Sequence, residues 1–184
     1  MLEPGAANSS ARATSAGSQA VAALCPKCAL CCNGVLFVDV RLQATDDAER
    51  LASMGVPVRS RGTAKRFAQP CACLDGKECR IYADRPSRCR SFECGLLKKV
   101  QAGQITERVA LTCIRRARDC SEKVRRILRG LGDTNETLPL SRRYQRMMRQ
   151  PIDLSADERI AELRGELIMT VADLVGLLEK HFLQ

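Results

Sequence analysis

Four cysteines stand within eight positions near the start of the chain, in the stretch LCPKCALCCNG at residues 24–34. They are Cys25, Cys28, Cys31 and Cys32, so two Cys-x-x-Cys steps follow one another and end in an adjacent pair. A tight turn or a single helical turn brings the two sulfurs of such a step to the same side. The chain must therefore fold so that these thiols form disulfides, serve in redox chemistry or bind a metal.

Disulfides are disfavoured by the count and by the expected compartment. The 184 residues contain eleven cysteines, an odd number, and cytosolic chains keep their thiols reduced. The start, MLEPGAANSSARATSAGSQA, lacks the apolar run of a secretion signal, and we expect residues 1–22 to be a flexible tail rich in Ala, Ser and Gly. No window is long and apolar enough to predict a membrane span. We therefore expect a cytoplasmic protein with free thiols.

A metal site is favoured by the further cysteines downstream, in the stretch CACLDGKECRIYADRPSRCRSFEC at residues 71–94. Metal–sulfur bonds of about 2.3 Å require ligating sulfurs within about 4 Å of one another. Neighbouring side chains diverge on a helix or a strand, so Cys31 and Cys32 are not expected to hold one ion together. Either they serve different centres or one of them is merely buried. Bacterial ferredoxins show that one chain segment can feed two centres.

The first half of the chain has little regular periodicity. Alternating apolar residues predict a strand over residues 34–42, and residues 46–55 predict a short helix closed by Gly55. Residues 56–70 are basic and are expected to be irregular. This half is therefore predicted to consist mainly of loops around its cysteines.

The second half predicts helices. Apolar residues at spacings of three and four indicate an amphipathic helix from Thr106 to about Leu131. A shorter basic helix over residues 141–150 should stop at Pro151. Ser155 followed by Glu158 forms a capping box for the last helix.

The predicted fold class is mainly α with irregular loops: a small metal-stabilised cysteine-rich domain followed by two or three helices. The predicted boundaries are a tail at 1–22, a cysteine-cluster metal-binding domain at 23–104 and a helical region at 105–184.

Two cysteines of the predicted long helix are not expected to be ligands. Cys113 and Cys120 lie about 10.5 Å apart along one predicted helix, on its apolar side, so core packing is the better interpretation. Cys73, two residues from Cys71 in a predicted loop, is ambiguous. His181 is the only histidine, and it stands too close to the last residue to indicate a ligand.

The order CPKCALCC and then PCACLDGKECRIYADRPSRCRSFEC resembles the YkgJ family of cysteine-cluster proteins, described as a zinc- or iron-chelating domain. The resemblance covers about residues 25–94 and includes Leu74, Tyr82 and Pro86. It implies metal binding rather than a reaction, and Cys73 stands where the family has an apolar residue. The metal ligands that the resemblance implies are Cys25, Cys28, Cys31, Cys32, Cys71, Cys79, Cys89 and Cys94.

The spacing leaves open whether the metal is zinc or an iron–sulfur cluster, and whether there are one or two centres, because four thiolates suit either metal. The lack of a redox-partner motif favours zinc, and the lack of histidine ligands favours a closed, structural or electron-storing site. Four arginines within the second stretch are expected to balance thiolate charge. They are Arg80, Arg85, Arg88 and Arg90.

The first functional hypothesis is a cytosolic bacterial metal-binding protein without a catalytic constellation. The net charge is +9, with twelve basic and five acidic residues between 105 and 150, so residues 108–149 could meet an anionic partner. A basic nucleic-acid-binding zinc module is a second hypothesis, disfavoured because Tyr144 is the one aromatic near those charges. The third is an iron–sulfur-dependent enzyme, since a similar cluster occurs in flagellin lysine-N-methylases. The sequence shows no cofactor loop to support it.

Overall fold

The fold was analysed in a computed structural model, which describes residue 20 and residues 24–151 and 158–184. Within these residues the chain is mainly helical, with small sheets and connecting loops, as the sequence predicted. Of the expected tail at 1–22, the structure describes Ala20 alone. The expected capping residue Ser155 also lies outside the described residues.

The strands precede most of the helices along the chain. The strands are β1 (Asp39–Arg41), β2 (Arg59–Arg61), β3 (Ala64–Ala68), β4 (Leu74–Asp75) and β5 (Glu78–Cys79). The helices are α1 (Ala48–Ser53), α2 (Ser87–Ser91), α3 (Gly95–Gln101), α4 (Glu107–Gly130), α5 (Leu140–Met148) and α6 (Glu158–His181), with a 3-10 turn at Tyr82–Asp84.

A three-stranded antiparallel sheet in the order β1-β3-β2 holds a small core. Val40 faces Phe67 across the β1–β3 pair, and both are buried against Leu51 and Val56. The expectation that residues 56–70 are irregular was wrong. These residues contain a hairpin, because Gly62 adopts a φ of +60° and allows a tight connection between β2 and β3.

The strand predicted over 34–42 is reduced to the three residues of β1. Before β1, the Phe37 ring packs edge-on against Phe92 at 4.9 Å between centroids, and Val38 is exposed. The apolar alternation in the sequence is therefore longer than the segment that pairs with β3.

A larger core lies among the helices, where α4 packs along α6. The predicted boundaries of α4 were correct: Thr106 accepts a hydrogen bond from Val109 N, and the helix runs to Gly130. α1 likewise begins after Asp47, which accepts from Arg50 N, and ends before Gly55 at a φ of +90°. Apolar spacing for α4 and the terminating Gly55 for α1 thus predicted these elements well.

The end of α6 fixes the start of α3. Gly95 N donates to Phe182 O at 3.0 Å, and a Cβ at Gly95 would lie 2.8 Å from His181 O. Glycine is therefore required at this approach of two backbones. Cys94, the N-cap of α3, is held in place by this contact. Among the described residues, no helix is long and apolar enough to cross a lipid bilayer.

Candidate metal centre

The first cysteine run is a helical turn followed by a tight loop. Residues 24–28 are helical, and Ala29 then takes a left-handed φ of +56°. Ala29 O accepts hydrogen bonds from both Cys32 N and Asn33 N at 2.9 Å. Leu30 is completely buried in the helical core. The turn therefore lets the chain reverse immediately before Cys31 and Cys32.

Gly34 closes this loop against two other segments. Its φ is +76°, and an added Cβ would lie 3.1 Å from Pro139 Cα and 3.2 Å from Pro70 Cδ. Gly34 O accepts from Leu140 N at 2.9 Å, at the start of α5. The cysteine loop is thus clamped between the second cysteine stretch and the helices.

The second cysteine stretch joins the first through the backbone. Cys71 N donates to Cys32 O at 2.8 Å. Cys79 follows on β5, opposite Leu74 of β4. Cys89 lies in α2, and Cys94 lies five residues further on at the N-cap of α3. All eleven cysteines lie within the described residues and are free thiols.

Four of these thiols form a first set, consisting of Cys25, Cys28, Cys31 and Cys94. Burial raises the pKa of Cys28 to about 12, and the nearby Cys94 and Cys25 add to this effect. Burial also raises the pKa of Cys31, and Cys28, the adjacent Cys32, Cys94 and Cys25 add to this effect in that order. The pKa of Cys25 is raised by burial and then by Cys94. These mutual effects place the four thiols in one neighbourhood.

The second set consists of Cys32, Cys71, Cys79 and Cys89. Burial raises the pKa of Cys32 to about 11, with Cys71 and Cys79 as the next contributors that raise it. Burial raises the pKa of Cys89 to about 12, and Cys32, Cys71 and Cys79 add to it. The adjacent residues Cys31 and Cys32 therefore have different principal neighbours.

Packing divides the cysteines in the same way. From the first set, Cys28 and Cys94 pack in the helical core. From the second set, Cys71 and Cys89 pack against the small core under the sheet. The two sets meet at the peptide bond between Cys31 and Cys32, and Cys25 of the first set also acts on the pKa of Cys32. Core contacts thus support the division for these four cysteines.

The chemistry of each set fits a thiolate-bound metal. Each has four soft sulfur donors, the number that a zinc ion or an iron–sulfur cluster takes from cysteine. As placed, however, no group of three or more His, Cys, Asp or Glu side chains in the described part of the chain could hold a metal ion. The thiols are gathered in two neighbourhoods, and their sulfurs are not closed around a common point.

The other three cysteines have ordinary packing roles. Cys73 is fully buried under the sheet, and its thiol donates to Met54 O at 3.5 Å. Cys113 and Cys120 pack against the helical core, as expected. The Cys120 thiol donates to Thr170 O on α6 at 3.5 Å.

The arginines of the second stretch tie its loops together. The Arg85 guanidinium lies 3.6 Å from the centre of the Tyr82 ring, and its charge acts to lower the pKa of Cys32 and Cys89. Arg80 donates to Ala72 O at 2.7 Å, and Arg90 donates to Ala83 O and to Arg85 O. Arg85 therefore balances thiolate charge, whereas Arg80 and Arg90 act mainly through carbonyl groups.

Two further arginines, from α4, reach the first cysteine run and were missed by the sequence analysis. Arg118 Nη1 donates to Cys28 O at 2.9 Å, and Arg125 Nη2 donates to Asn33 O at 3.2 Å. Burial lowers the pKa of Arg125. They are seven residues apart and so share a face of α4. That spacing, next to the apolar stripe, is the signal that could have found them.

Comparison with known proteins gives one match. Residues 24–114 match a family model described as "CxxCxxCC: Putative zinc- or iron-chelating domain". The matched range contains all eight cysteines of the two sets and ends within α4, four residues before Arg118. No curated protein and no solved structure matches the chain.

Proposed function

Since the chain belongs through residues 24–114 to the CxxCxxCC family of zinc- or iron-chelating domains, we propose that it binds metal at two centres with four cysteine ligands each. The first centre takes Cys25, Cys28, Cys31 and Cys94, and the second takes Cys32, Cys71, Cys79 and Cys89. The observation that carries this proposal is that the thiol with the largest effect on the pKa of Cys31 is Cys28, whereas for Cys32 it is Cys71. Packing supports it, because Cys28 and Cys94 lie in or against the helical core, and Cys71 and Cys89 lie against the core under the sheet.

Charge supports two closed centres. Four thiolates around Zn²⁺, or around an oxidised 4Fe–4S cluster, carry a net charge of about −2. Arg85 beside the second set and Arg118 beside the first supply positive charge next to the sulfurs. Four cysteines fill the four ligand positions of each proposed centre, so no position is left open for a substrate. The proposed role of each centre is structural or electron-storing.

Metal binding should complete the local fold. Thiolate ligands must lose their protons before they bind a metal, and ligand closure is coupled to folding in small cysteine-rich domains. Free thiols that are half-buried and mutually repulsive once ionised are therefore expected to draw together when the metal is present. In this proposal, the thiols that the fold gathers become ligands when the metal completes the site.

The test is anaerobic purification followed by an absorption spectrum and elemental analysis. A brown protein with a broad absorption band at about 400 nm identifies iron–sulfur clusters. A colourless protein with about two zinc ions per chain identifies zinc centres. Failure to bind either metal, both as purified and after reconstitution with zinc or with iron and sulfide, would contradict the proposal.

A further inference from the structure

The outer face of the three-stranded sheet carries a row of arginines. Arg41 of β1 stands directly opposite Arg66 of β3, which stands directly opposite Arg59 of β2. Arg61 lies two residues beyond Arg59 and so points to the same side. We call these four residues the arginine face. Arg41, Arg59 and Arg61 are exposed, and Arg66 is partly exposed.

Such a row is unfavourable for the sheet itself. Directly opposite side chains have Cβ atoms about 5 Å apart, and like charges in these positions repel. The acidic residue that contacts the row is Asp39, which accepts from Arg66 Nη1 at 3.2 Å. Arg66 Nε is buried without a hydrogen-bond partner in the described part of the chain. The row therefore has more positive charge than its own sheet uses.

Two structural explanations account for only part of this face. Charged residues on edge strands prevent pairing with other chains, which explains Arg41 and Arg59 but not Arg66 on the central strand. Balancing of the thiolate charge does not explain the row either. The opposite face of the sheet, with Val40 and Phe67, packs toward Cys73 and the second cysteine set, so the arginine face points away from that set.

The basic residues of the helices are more fully engaged within the protein. Arg143 is buried and ion-paired with Asp133, and Arg129 contacts both Glu122 and Glu136. Arg118 and Arg125 donate to carbonyl groups of the cysteine run. Much of the positive charge between 108 and 149 therefore serves the fold, and the arginine face offers a denser set of available guanidinium groups.

The composition of the face selects the kind of partner. It includes no large apolar side chain: its uncharged members are Ala64 and Ala68. Protein interfaces have apolar or aromatic cores, and membrane-binding surfaces insert apolar residues, so both fit poorly. Closely spaced guanidinium groups suit phosphate oxygens, which they bind in a bidentate manner. We propose that the arginine face binds the phosphate backbone of a nucleic acid.

Without aromatic side chains for base stacking, binding should be largely independent of sequence and strongly dependent on salt. Gly62 connects the paired strands β2 and β3. The arginine face is therefore held on a short hairpin. Each arginine that meets a phosphate contributes about 0.9 to the slope of log K against log salt on duplex DNA.

The experiment measures fluorescence anisotropy of a labelled 20-base-pair DNA duplex and a labelled 20-nucleotide RNA with the metal-loaded protein, from 50 to 200 mM salt. The test variant is Arg41→Thr/Arg59→Thr/Arg61→Thr, since threonine suits strands. Its matched control, with the same change in charge, is Arg108→Ala/Arg115→Ala/Arg116→Ala, at exposed positions of α4. We expect the sheet variant to bind at least about tenfold more weakly and its slope to fall by about two to three units.

The control should change affinity less than about threefold. Equal losses in the two variants, or no binding of wild-type protein at 50 mM salt, would overturn the proposal. So would preferential binding to vesicles containing 30% phosphatidylserine over the nucleic acids. If the sheet variant does not fold, amide shifts of the wild-type protein replace it: duplex DNA should shift residues 59–66 and leave 108–116 unchanged. The reverse pattern would refute the arginine face as the site.

Discussion

At the scale of single residues, Cys31 and Cys32 are the point where the two sets of thiols meet. Their α-carbons are about 3.8 Å apart across one peptide bond, yet their principal thiol neighbours come from different parts of the chain. Cys31 is grouped with the preceding helical turn and with Cys94, whereas Cys32 is grouped with the segment that begins at Cys71. One peptide unit therefore connects the two proposed centres.

The first prediction follows from this division. Cys31→Ser and Cys32→Ser should each remove about half of the bound metal, and the double variant should remove nearly all of it, because each substitution leaves one four-cysteine set intact. Elemental analysis of freshly purified protein measures this directly. Cys73→Ala and Cys113→Ala are matched controls and should retain the full metal content. If either single ligand variant loses all of its metal, or none, the two-centre assignment is wrong.

The second prediction concerns Asp133, which anchors α5 to the loop after α4. Its carboxylate is buried and accepts hydrogen bonds from Arg143, itself buried, and from Arg146. Burial by itself would raise the pKa of Asp133, but these hydrogen bonds hold the pKa below its ordinary value. A lowered pKa stabilises the fold above the ordinary carboxylate value, and this contribution disappears as pH falls through the lowered pKa.

Asp133→Asn should therefore reduce the free energy of unfolding by about 3 kcal/mol at pH 7, because it leaves Arg143 buried without its charged partner. Urea unfolding at several pH values provides the measurement. The wild-type protein should lose stability below about pH 4 more steeply than the variant does. Glu162→Gln, at an exposed position of α6, is the control and should change stability little. A variant as stable as wild type would mean that the ion pair contributes nothing net.

At the scale of elements, α4 is both the centre of the helical core and a support for the cysteine run. Its apolar side packs along α6, and Arg118 and Arg125 on a neighbouring face bind the carbonyl groups of Cys28 and Asn33. The first cysteine run is thus held in place from outside its own segment. Groups that orient metal ligands in this way commonly change metal affinity by about 10- to 100-fold when they are removed.

The third prediction is that Arg118→Met lowers zinc affinity at least about tenfold, because it removes both the hydrogen bond to Cys28 O and a positive charge near the first set. Competition with a chromophoric chelator measures the affinity. Arg115→Met, an exposed substitution on the same helix, should leave it unchanged. Equal affinity in the two variants would show that Arg118 does not orient the ligand loop. A loss of helical circular dichroism would instead assign it a structural role.

Long, periodic elements were predicted well from the sequence, and short ones were not. The boundaries of α4 followed from the apolar spacing alone, and Thr106 proved to be its capping residue. In contrast, β2 has three residues, all exposed, and β4 has two, so neither produces a recognisable alternation. The hairpin at 59–68 depends instead on pairing between β3 and the distant β1, which local sequence patterns do not reveal.

In the candidate site, too, local patterns could be predicted from the sequence and long-range contacts could not. The spacing of the first cysteine run predicted that its thiols gather and that Cys31 and Cys32 diverge, whereas the set of eight cysteines came from the family resemblance. The grouping of Cys94 with the first run could not be predicted, because it depends on the end of α6 packing against Gly95. The contacts of Arg118 and Arg125 likewise join residues about 90 positions apart. Such relations arise from tertiary packing rather than from any local motif.

At the scale of the whole molecule, the two cores differ greatly in size. Among the described residues, the helical core contains 18 buried residues, including Leu24 and Leu30 beside the first cysteine set. The core under the sheet contains six in the same part of the chain. The helical core also includes residues on both sides of position 104, such as Leu97 and Ala110. The domain boundary proposed there remains a prediction, and the described residues show one apolar core extending across it.

This asymmetry leads to the fourth prediction, which concerns removal of metal under reducing conditions. A core of six residues buries too little apolar surface to hold three short strands by itself, so the sheet should depend on the second centre. The helical core should largely survive. Chelation is therefore expected to keep most of the helical circular dichroism, while amides of β1–β3 lose protection from hydrogen exchange.

Cys89→Ser and Cys25→Ser separate the contributions of the two centres. Cys89→Ser should reproduce the loss of protection in β1–β3, because Cys89 packs against the sheet core. Cys25→Ser removes a ligand of the first set and should instead increase exchange around residues 24–36, with the sheet less affected. Simultaneous loss of sheet and helices in one cooperative step, for chelation and for both variants, would mean that the metal stabilises the molecule as a single unit. The proposed difference between the two cores would then be wrong.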